Sequence, residues 1–252
     1  MHKQFNGGCD IMADAENNSK EFLSIYNEID EYMRRRLNAD NRVPFKRMVD
    51  ILIKKDKVFD RYKDDLFDFA RLRNAIVHNP YGSKAEPIAE PHDLIVEKFK
   101  KIKNEIMNPV RLIDIAVKGN DIYSATLDDD ALEVMEKMND NSYTHVPVLE
   151  NGLLIGVFSL YSVFAYLTEN EGSQITNQTK VGDLRDYISL EKHQGEYFKF
   201  EPKNCLVIDV EDLFIKRLEN NRRLVMIFVT ENGNSDNKLL GIVSAWNVAS
   251  RK

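Results

Sequence analysis

The second half of the chain contains the same short pattern twice. Residues 154–159 read Leu-Ile-Gly-Val-Phe-Ser, and residues 239–244 read Leu-Leu-Gly-Ile-Val-Ser. Each copy is an apolar run of strand length that ends in a serine, and each precedes a segment with helical character. Self-similarity of this kind is typical of folds built from repeated supersecondary units. The pattern therefore predicts an internal repeat.

Around each copy the sequence predicts the order helix, strand, turn, strand and helix, which a leading strand completes to a β-α-β-β-α unit. In the first copy the turn is Asn151-Gly152, and Asn-Gly is the strongest short signal for a hairpin. The predicted elements are a helix at 129–138, strands at 145–149 and 153–158 and a helix at 160–167 in the first copy, and a helix at 211–218, strands at 224–230 and 239–243 and a helix at 245–249 in the second.

The repeat resembles a tandem pair of cystathionine-β-synthase-type (CBS) domains. The first copy carries most of the resemblance, with Tyr-Ser-Ala-Thr at 123–126, His-Val-Pro-Val at 145–148 and Gly-Val-Phe-Ser at 156–159. The second copy lacks the proline, has a longer hairpin loop and follows a stretched linker. The resemblance implies a CBS pair over residues 110–252, with repeat one at about 110–168 and repeat two at about 181–252.

The usual ligand of this family is an adenine nucleotide, held in the cleft between two repeats. Its ribose signature runs from a glycine through Ser or Thr to an Asp, whose carboxylate accepts from both ribose hydroxyls. Here the hydroxyl is kept at Ser159 and Ser244, but Ser162 and Asn247 replace the Asp. Asn247 can still accept one hydrogen bond and donate another, whereas Ser162 is too short. The second repeat is therefore the predicted site, and the alternative is a structural pair without ligand.

The resemblance implies an adenosine-containing ligand, namely AMP, ADP, ATP or S-adenosylmethionine, and no further cofactor. Trp246 is expected either to stack on the base or to pack in the core. The predicted nucleotide-binding residues are Ser244, Asn247, Phe198, Phe200, Ser159, Ser162, Tyr123, Thr126 and His145.

The first half has the apolar period of helices and almost no strand signal. Apolar residues recur at intervals of three and four over 22–33, 43–53 and 59–76. Ser19 is the predicted N-cap of the first helix. The predicted fold class is α+β, with an all-α bundle at 1–109 before the CBS pair. A last helix is predicted at 92–107, with its inward face at Leu94, Val96, Phe99, Ile102 and Ile106.

Residues 72–78 read Leu-Arg-Asn-Ala-Ile-Val-His. This Arg-Asn-x-x-x-His pattern resembles the motif of HEPN (higher eukaryotes and prokaryotes nucleotide-binding) domains, many of which are metal-independent endoribonucleases. The resemblance implies RNA as substrate, His78 as general acid or base and Arg73 as the group that neutralises the phosphorane. Asn74 would orient the phosphate or the imidazole. The products would be a 2′,3′-cyclic phosphate and a 5′-hydroxyl.

His78 follows Arg73 by five positions, which places their side chains about 140° apart around an ideal helix. In the family, two motifs face each other across a two-fold axis, so the resemblance implies a homodimer with a composite active site. The alternative is a bundle that only dimerises. In that case Arg73 pairs with Asp64 or Asp68, and His78 caps the helix C-terminus.

Charge and composition narrow the function classes further. Residues 110–252 carry 22 acidic and 15 basic residues, which makes sequence-independent nucleic-acid binding there unexpected. No apolar stretch approaches the roughly 18 residues of a membrane span, and no apolar signal region opens the chain, so a cytoplasmic protein without membrane contact is predicted. The histidines are too scattered in sequence to predict a metal site.

These features predict a nucleotide-sensing regulatory protein in which the CBS pair controls a HEPN-type endoribonuclease. The alternative is a non-catalytic ligand-binding and dimerisation module with a degenerate HEPN domain.

Overall fold

The computed structural model of the protein describes residues 9–77, 90–170, 174–216 and 221–250, with the backbone alone for residues 9–17. The chain divides into two compact units, Met1–Pro109 and Val110–Lys252. Among the residues so described, none of the helices combines the length and the apolar character that crossing a bilayer requires.

The described part of the first unit is built from helices. The third predicted helix is divided in two, because Tyr62 leaves helical geometry at φ −101° and ψ 13°. The helices are α1 (Cys9–Leu37), α2 (Phe45–Leu52), α3 (Lys57–Arg61), α4 (Lys63–Val77) and α5 (Asp93–Met107).

Three phenylalanine rings form the centre of this unit. Phe99 of α5 lies 4.9 Å from Phe22 of α1 and 4.2 Å from Phe69 of α4, measured between ring centroids. Phe22 and Phe99 are fully buried. Truncating such a ring typically costs about 3–5 kcal/mol, so these side chains hold α1, α4 and α5 together.

Two sequence predictions in this unit are wrong. Ser19 lies inside α1 and not at its N-cap, and its buried hydroxyl donates to Glu90 at 2.9 Å. Leu94 is 81% exposed, although Val96 and the other residues predicted to face inward are buried. Leu94 and Val96 are two positions apart, which corresponds to about 200° around a helix, so the two side chains lie on opposite faces.

The second unit contains two repeats of similar construction. In the first, Ala125 bridges Val148 in parallel before the helix and hairpin follow. In the second, β4 pairs in parallel with β5, and β5 with β6 antiparallel. The elements are α6 (Leu112–Ile115), β1 (Val117–Lys118), α7 (Ala131–Asn141), β2 (His145–Glu150), β3 (Leu153–Ser159), α8 (Leu160–Glu169), a 3₁₀ turn (Val181–Leu184), α9 (Arg185–Ile188), β4 (Glu196–Pro202), α10 (Val207–Val210), β5 (Arg223–Thr230), β6 (Gly241–Ser244) and α11 (Ala245–Ala249).

Each repeat is preceded by a leading segment that packs on the other repeat. The first leading segment is α6 with β1. The amide of Leu112 donates to the carbonyl of Cys205 at 2.8 Å, and β1 joins the edge of the second repeat in a sheet of order β1-β6-β5-β4. The second leading segment is the 3₁₀ turn with α9, where the amide of Val181 donates to Asp129 of the first repeat at 2.9 Å. The repeats therefore exchange their leading segments.

The glycines of the repeated pattern are explained by this exchange. A Cβ on Gly156 would lie 2.5 Å from the carbonyl oxygen of Ile188, at the end of the second leading segment. A Cβ on Gly241 would lie 2.8 Å from the Cβ of Ala116 in the first leading segment. Each glycine therefore makes room for the segment that crosses it.

Replacing Gly156 by alanine is expected to destabilise the second unit by about 1–3 kcal/mol, because the new methyl group overlaps backbone that cannot move aside. Thermal unfolding followed by circular dichroism measures the loss. Gly119→Ala is the matched control, since a Cβ there meets nothing within 4 Å and only its φ of +53° opposes the change. An equal effect of the two substitutions would contradict this account of Gly156.

The predicted helix at 211–218 is a further correction. The helix begins earlier, as α10, and gives way to a 3₁₀ turn over Glu211–Phe214. Val207 and Val210 are buried almost completely, so packing holds a helical turn where β-branched residues disfavour one. Residues 217–220 lie outside the described residues.

Candidate functional site

Both strand-to-helix junctions form capping boxes. At the first, the hydroxyl of Ser159 accepts from the amide of Ser162 at 3.2 Å, while the hydroxyl of Ser162 accepts from the amide of Ser159 at 2.8 Å. At the second, Oδ1 of Asn247 accepts from the amide of Ser244 at 2.9 Å and from its hydroxyl at 2.8 Å. The signature residues therefore have a structural task in both repeats.

A cavity of about 610 Å³ lies beside the second junction, between the two repeats. Side chains from β1, β5 and β6 give it an apolar floor, and polar side chains from α11 and from the segment before β2 form its rim. The floor residues are Val117, Val225, Met226 and Ile242, and the others are Asn141, Ser142, Tyr143, Thr144, His145, Ser244, Trp246 and Asn247. We call it the Ser244 cavity.

Two aromatic side chains at the Ser244 cavity are available for stacking. Trp246 is 79% exposed and Tyr143 is 43% exposed. Trp246 therefore does not pack in the core, which was one of its two sequence alternatives. Tyr123, a predicted site residue, stacks on Tyr143 with a centroid distance of 5.9 Å and so supports this wall without lining the cavity.

The equivalent position in the first repeat is filled. Ser159 and Ser162 are buried, and the imidazole of His193 faces the Ser159 hydroxyl at 3.4 Å. The ring of Phe198 lies edge-on to His193, at 5.0 Å between centroids. The stretched linker that contains His193 therefore supplies the side chain that occupies this junction.

His145 and His193 meet at one carboxylate, which corrects the expectation that the histidines are scattered. Nε2 of His145 lies 2.9 Å from Oε2 of Glu196, and Nδ1 of His193 lies 3.7 Å from the same oxygen. The hydrogen bond to His145, and then the nearby imidazole of His193, hold the pKa of Glu196 well below its usual value, although burial opposes them. Arg223 contacts the other oxygen, Oε1, at 3.2 Å.

The remaining predicted residues lie apart from the Ser244 cavity. Phe198 stacks on Phe228, with 5.8 Å between ring centroids. Phe200 lines a separate cavity of about 480 Å³ with Leu154. Thr126 is exposed before α7, where its amide donates to Asp129 at 2.6 Å. Of the nine predicted residues, the structure brings Ser244, Asn247 and His145 together at this cavity.

In the first unit, Arg73 lies on α4 with its guanidinium 5.7 Å from the ring centroid of Tyr26. Its Nε is buried and has no hydrogen-bond partner among the described residues. The pairing with Asp68 considered from the sequence is absent there, because Asp68 bonds Arg71 at 2.6 Å. Asn74 is exposed and accepts from Arg73 at 3.4 Å. His78 lies outside the described residues.

Sequence reasoning named Trp246 but missed Tyr143, Thr144 and the apolar floor of the Ser244 cavity. Tyr143 and Thr144 stand directly before β2, so their position beside a predicted strand end was a usable signal. Val117 gave no signal, because β1 is two residues long and reaches the cavity only through the exchange of leading segments.

Comparison with known proteins gives one family match. Residues 112–169 match the model of the CBS domain, which confirms the predicted CBS domain in the first repeat. No curated protein is detectably similar to the chain.

Solved structures give weaker likenesses. The CBS-pair protein CBSX2 from Arabidopsis thaliana is 18% identical, with a TM-score of 0.40, over 57% of this chain and 94% of that one. A hemolysin-like CBS protein from Oenococcus oeni PSU is 16% identical, with a TM-score of 0.39, over 57% and 91%. The CBS domain of a bacterial CNNM/CorC family Mg²⁺ transporter, solved with ATP, is 15% identical, with a TM-score of 0.38, over 56% and 85%. The family match thus falls on the first repeat. The second repeat is built in the same way, and each repeat packs against the leading segment that precedes the other.

Proposed function

We propose that residues 110–252 sense an adenosine-containing nucleotide, which binds in the Ser244 cavity. The observation that carries the proposal is the meeting of three features at one place. An apolar floor, two exposed aromatic rings and a cluster of hydrogen-bonding side chains surround a volume within the roughly 300–1,000 Å³ of small-molecule sites. Such a combination suits a flat base joined to a polar sugar and phosphate.

The hydrogen bonds at the second junction define how the sugar would be held. Oδ1 of Asn247 already accepts from Ser244, whereas its amide nitrogen makes no hydrogen bond within the part of the chain that the structure describes. We propose that this amide donates to a ribose or phosphate oxygen, while the base stacks on Tyr143 or Trp246. Asn247 therefore holds the sugar through its amide alone, whereas the family's carboxylate accepts from both ribose hydroxyls. We expect a dissociation constant in the micromolar range or weaker.

The filled first junction supports a single site per chain. Both serine hydroxyls there are engaged in capping α8, and His193 stands in front of them. Isothermal calorimetry with AMP, ADP, ATP and S-adenosylmethionine is expected to show one site with at least one of these ligands. Two equal, tight sites per chain would contradict the assignment, and no binding of any of the four would remove it.

A second proposal concerns the first unit, where Arg73 and Asn74 support a HEPN-type endoribonuclease. The specific observation is the guanidinium of Arg73, whose buried Nε has no partner among the residues that the structure describes. A guanidinium that is not consumed by an ion pair is available to a phosphate, and Asn74 beside it is exposed. With His78 as acid or base, the chemistry needs no metal and takes RNA as substrate.

We further propose that the protein is a cytoplasmic homodimer and that nucleotide binding regulates the cleavage. An exposed apolar stripe on α8 supports self-association, since Leu160, Phe164 and Leu167 recur at helical spacing and Phe164 is 65% exposed. An isologous contact would pair this stripe with its own copy. The alternative remains a non-catalytic ligand-binding module, which the cleavage experiment described below separates from the nuclease.

A further inference from the structure

Three side chains with metal-ligating atoms converge at the boundary between the repeats. His145 opens β2 of the first repeat, Glu196 opens β4 of the second, and His193 lies in the linker shortly before it. One ligating atom from each lies within 4.8 Å of the other two. The three residues are far apart in sequence or on different elements, so the fold itself assembles the group.

The hydrogen bonding of His193 is poor for a buried imidazole. The residue is 1% exposed, and its Nε2 has no partner among the described residues. Its Nδ1 lies 3.4 Å from the Ser159 hydroxyl and 3.7 Å from Glu196, both longer than the roughly 2.7–3.2 Å of a normal bond. A buried ring nitrogen held only by long contacts is costly, and a metal bonded to Nδ1 would give that nitrogen a strong partner.

We propose that His145, His193 and Glu196 form a zinc site that joins the two repeats. Two imidazoles and one carboxylate are ligands that zinc accepts, and three protein ligands leave a fourth position for water or another small ligand. Oε2 of Glu196 lies 2.9 Å from Nε2 of His145 and 3.7 Å from Nδ1 of His193. A tetrahedral ion with bonds of about 2.0–2.1 Å spaces its ligands at intermediate distances, so small side-chain rotations suffice.

Outer contacts already orient the ligands. Nδ1 of His145 lies 2.8 Å from the hydroxyl of Thr144, which can accept a hydrogen bond from Nδ1–H and so leave Nε2 free to bind the metal. Arg223 holds Oε1 of Glu196, which leaves Oε2 to the group. Such partners usually accompany metal sites.

The test uses the full chain, stripped with chelator and dialysed. Titration with zinc against a chromophoric chelator is expected to give one equivalent per chain. His145→Gln and the nearly isosteric Glu196→Gln should each weaken binding by more than about 100-fold, since loss of an outer partner alone costs about 10–100-fold. His92→Gln is the matched control, because His92 is exposed and lies in the first unit. It should bind as the unchanged protein does.

Cobalt provides a second measurement on the unaltered protein, which keeps the test valid if a variant fails to fold. Cobalt bound to nitrogen and oxygen ligands gives visible ligand-field bands without thiolate charge-transfer absorption. A strong thiolate band would place the metal at a cysteine and overturn the proposal. Binding of well below one equivalent of metal would overturn the proposal too, as would an unchanged zinc affinity in folded Glu196→Gln. Nucleotide binding is measured on zinc-free protein, so that the zinc site and the nucleotide site are tested independently.

Discussion

Replacing Asn247 by alanine is expected to weaken nucleotide binding about tenfold to a hundredfold, which corresponds to a lost hydrogen bond and an unmet sugar hydroxyl. Alanine removes the amide that we propose donates to the ligand, and it also removes the acceptor that caps α11 through Ser244. Calorimetry with the best of the four adenosine ligands measures the change. Unchanged affinity in Asn247→Ala would move the site away from this junction.

Asn247→Asp separates the two roles of this residue. The carboxylate keeps an acceptor for the amide and hydroxyl of Ser244, and its second oxygen can accept from the ribose. Hydrogen bonds to charged groups are stronger than neutral ones, so binding about tenfold tighter than in the unchanged protein is expected. Asn177→Ala, at an exposed linker position, is the control and should leave affinity unaltered. Weaker binding in Asn247→Asp would show that the amide donates to a phosphate oxygen, which a carboxylate repels, and not to a ribose hydroxyl, which can donate as well as accept.

The largest expected effect is on RNA cleavage. Incubation with total RNA in chelator should yield 5′-hydroxyl products, and His78→Ala or Arg73→Ala should lower the rate by about 100-fold or more, because a general acid or base and a phosphate-neutralising group are lost. Gel electrophoresis with end labelling measures both the rate and the product ends.

Arg71→Ala is the matched control for this experiment. Arg71 lies on the same helix as Arg73, is exposed and pairs with Asp68, so its loss should leave cleavage unchanged. Light scattering of each variant checks that the proposed dimer persists. Activity that disappears with chelator, or that survives in both His78→Ala and Arg73→Ala, would contradict the nuclease and favour the non-catalytic alternative.

Local signals predicted the hairpin of the first repeat well. Asn151 and Gly152 adopt φ of 54° and 81°, the left-handed values that an Asn-Gly turn requires, and β2 and β3 flank them close to the predicted ranges 145–149 and 153–158. The helix α11 was also placed at its observed residues, 245–249. These elements depend on neighbours in sequence, and a sequence pattern therefore contains most of what specifies them.

Features that depend on distant residues could not be predicted in this way. The strand β1 has two residues and exists because β6 lies beside it. His145, His193 and Glu196 come together only when the linker folds back between the repeats. Phe198 and Phe200 alternate along β4 as site residues would, but the strand directs them to Phe228 and to a separate cavity. In each case tertiary packing decides what the local pattern leaves open.

The exchange of leading segments has a consequence for how the protein is made. Val117 of β1 pairs with Ile242 of β6, which follows it by 125 residues. While the chain is being synthesised, the first repeat therefore emerges from the ribosome without the segment that covers Gly156, and β1 cannot pair until β6 of the second repeat has been made. Contacts over such long separations form slowly. A chain truncated before β6 would thus leave the second repeat incomplete. It would also leave β1, which precedes the first repeat, without the strand it pairs with.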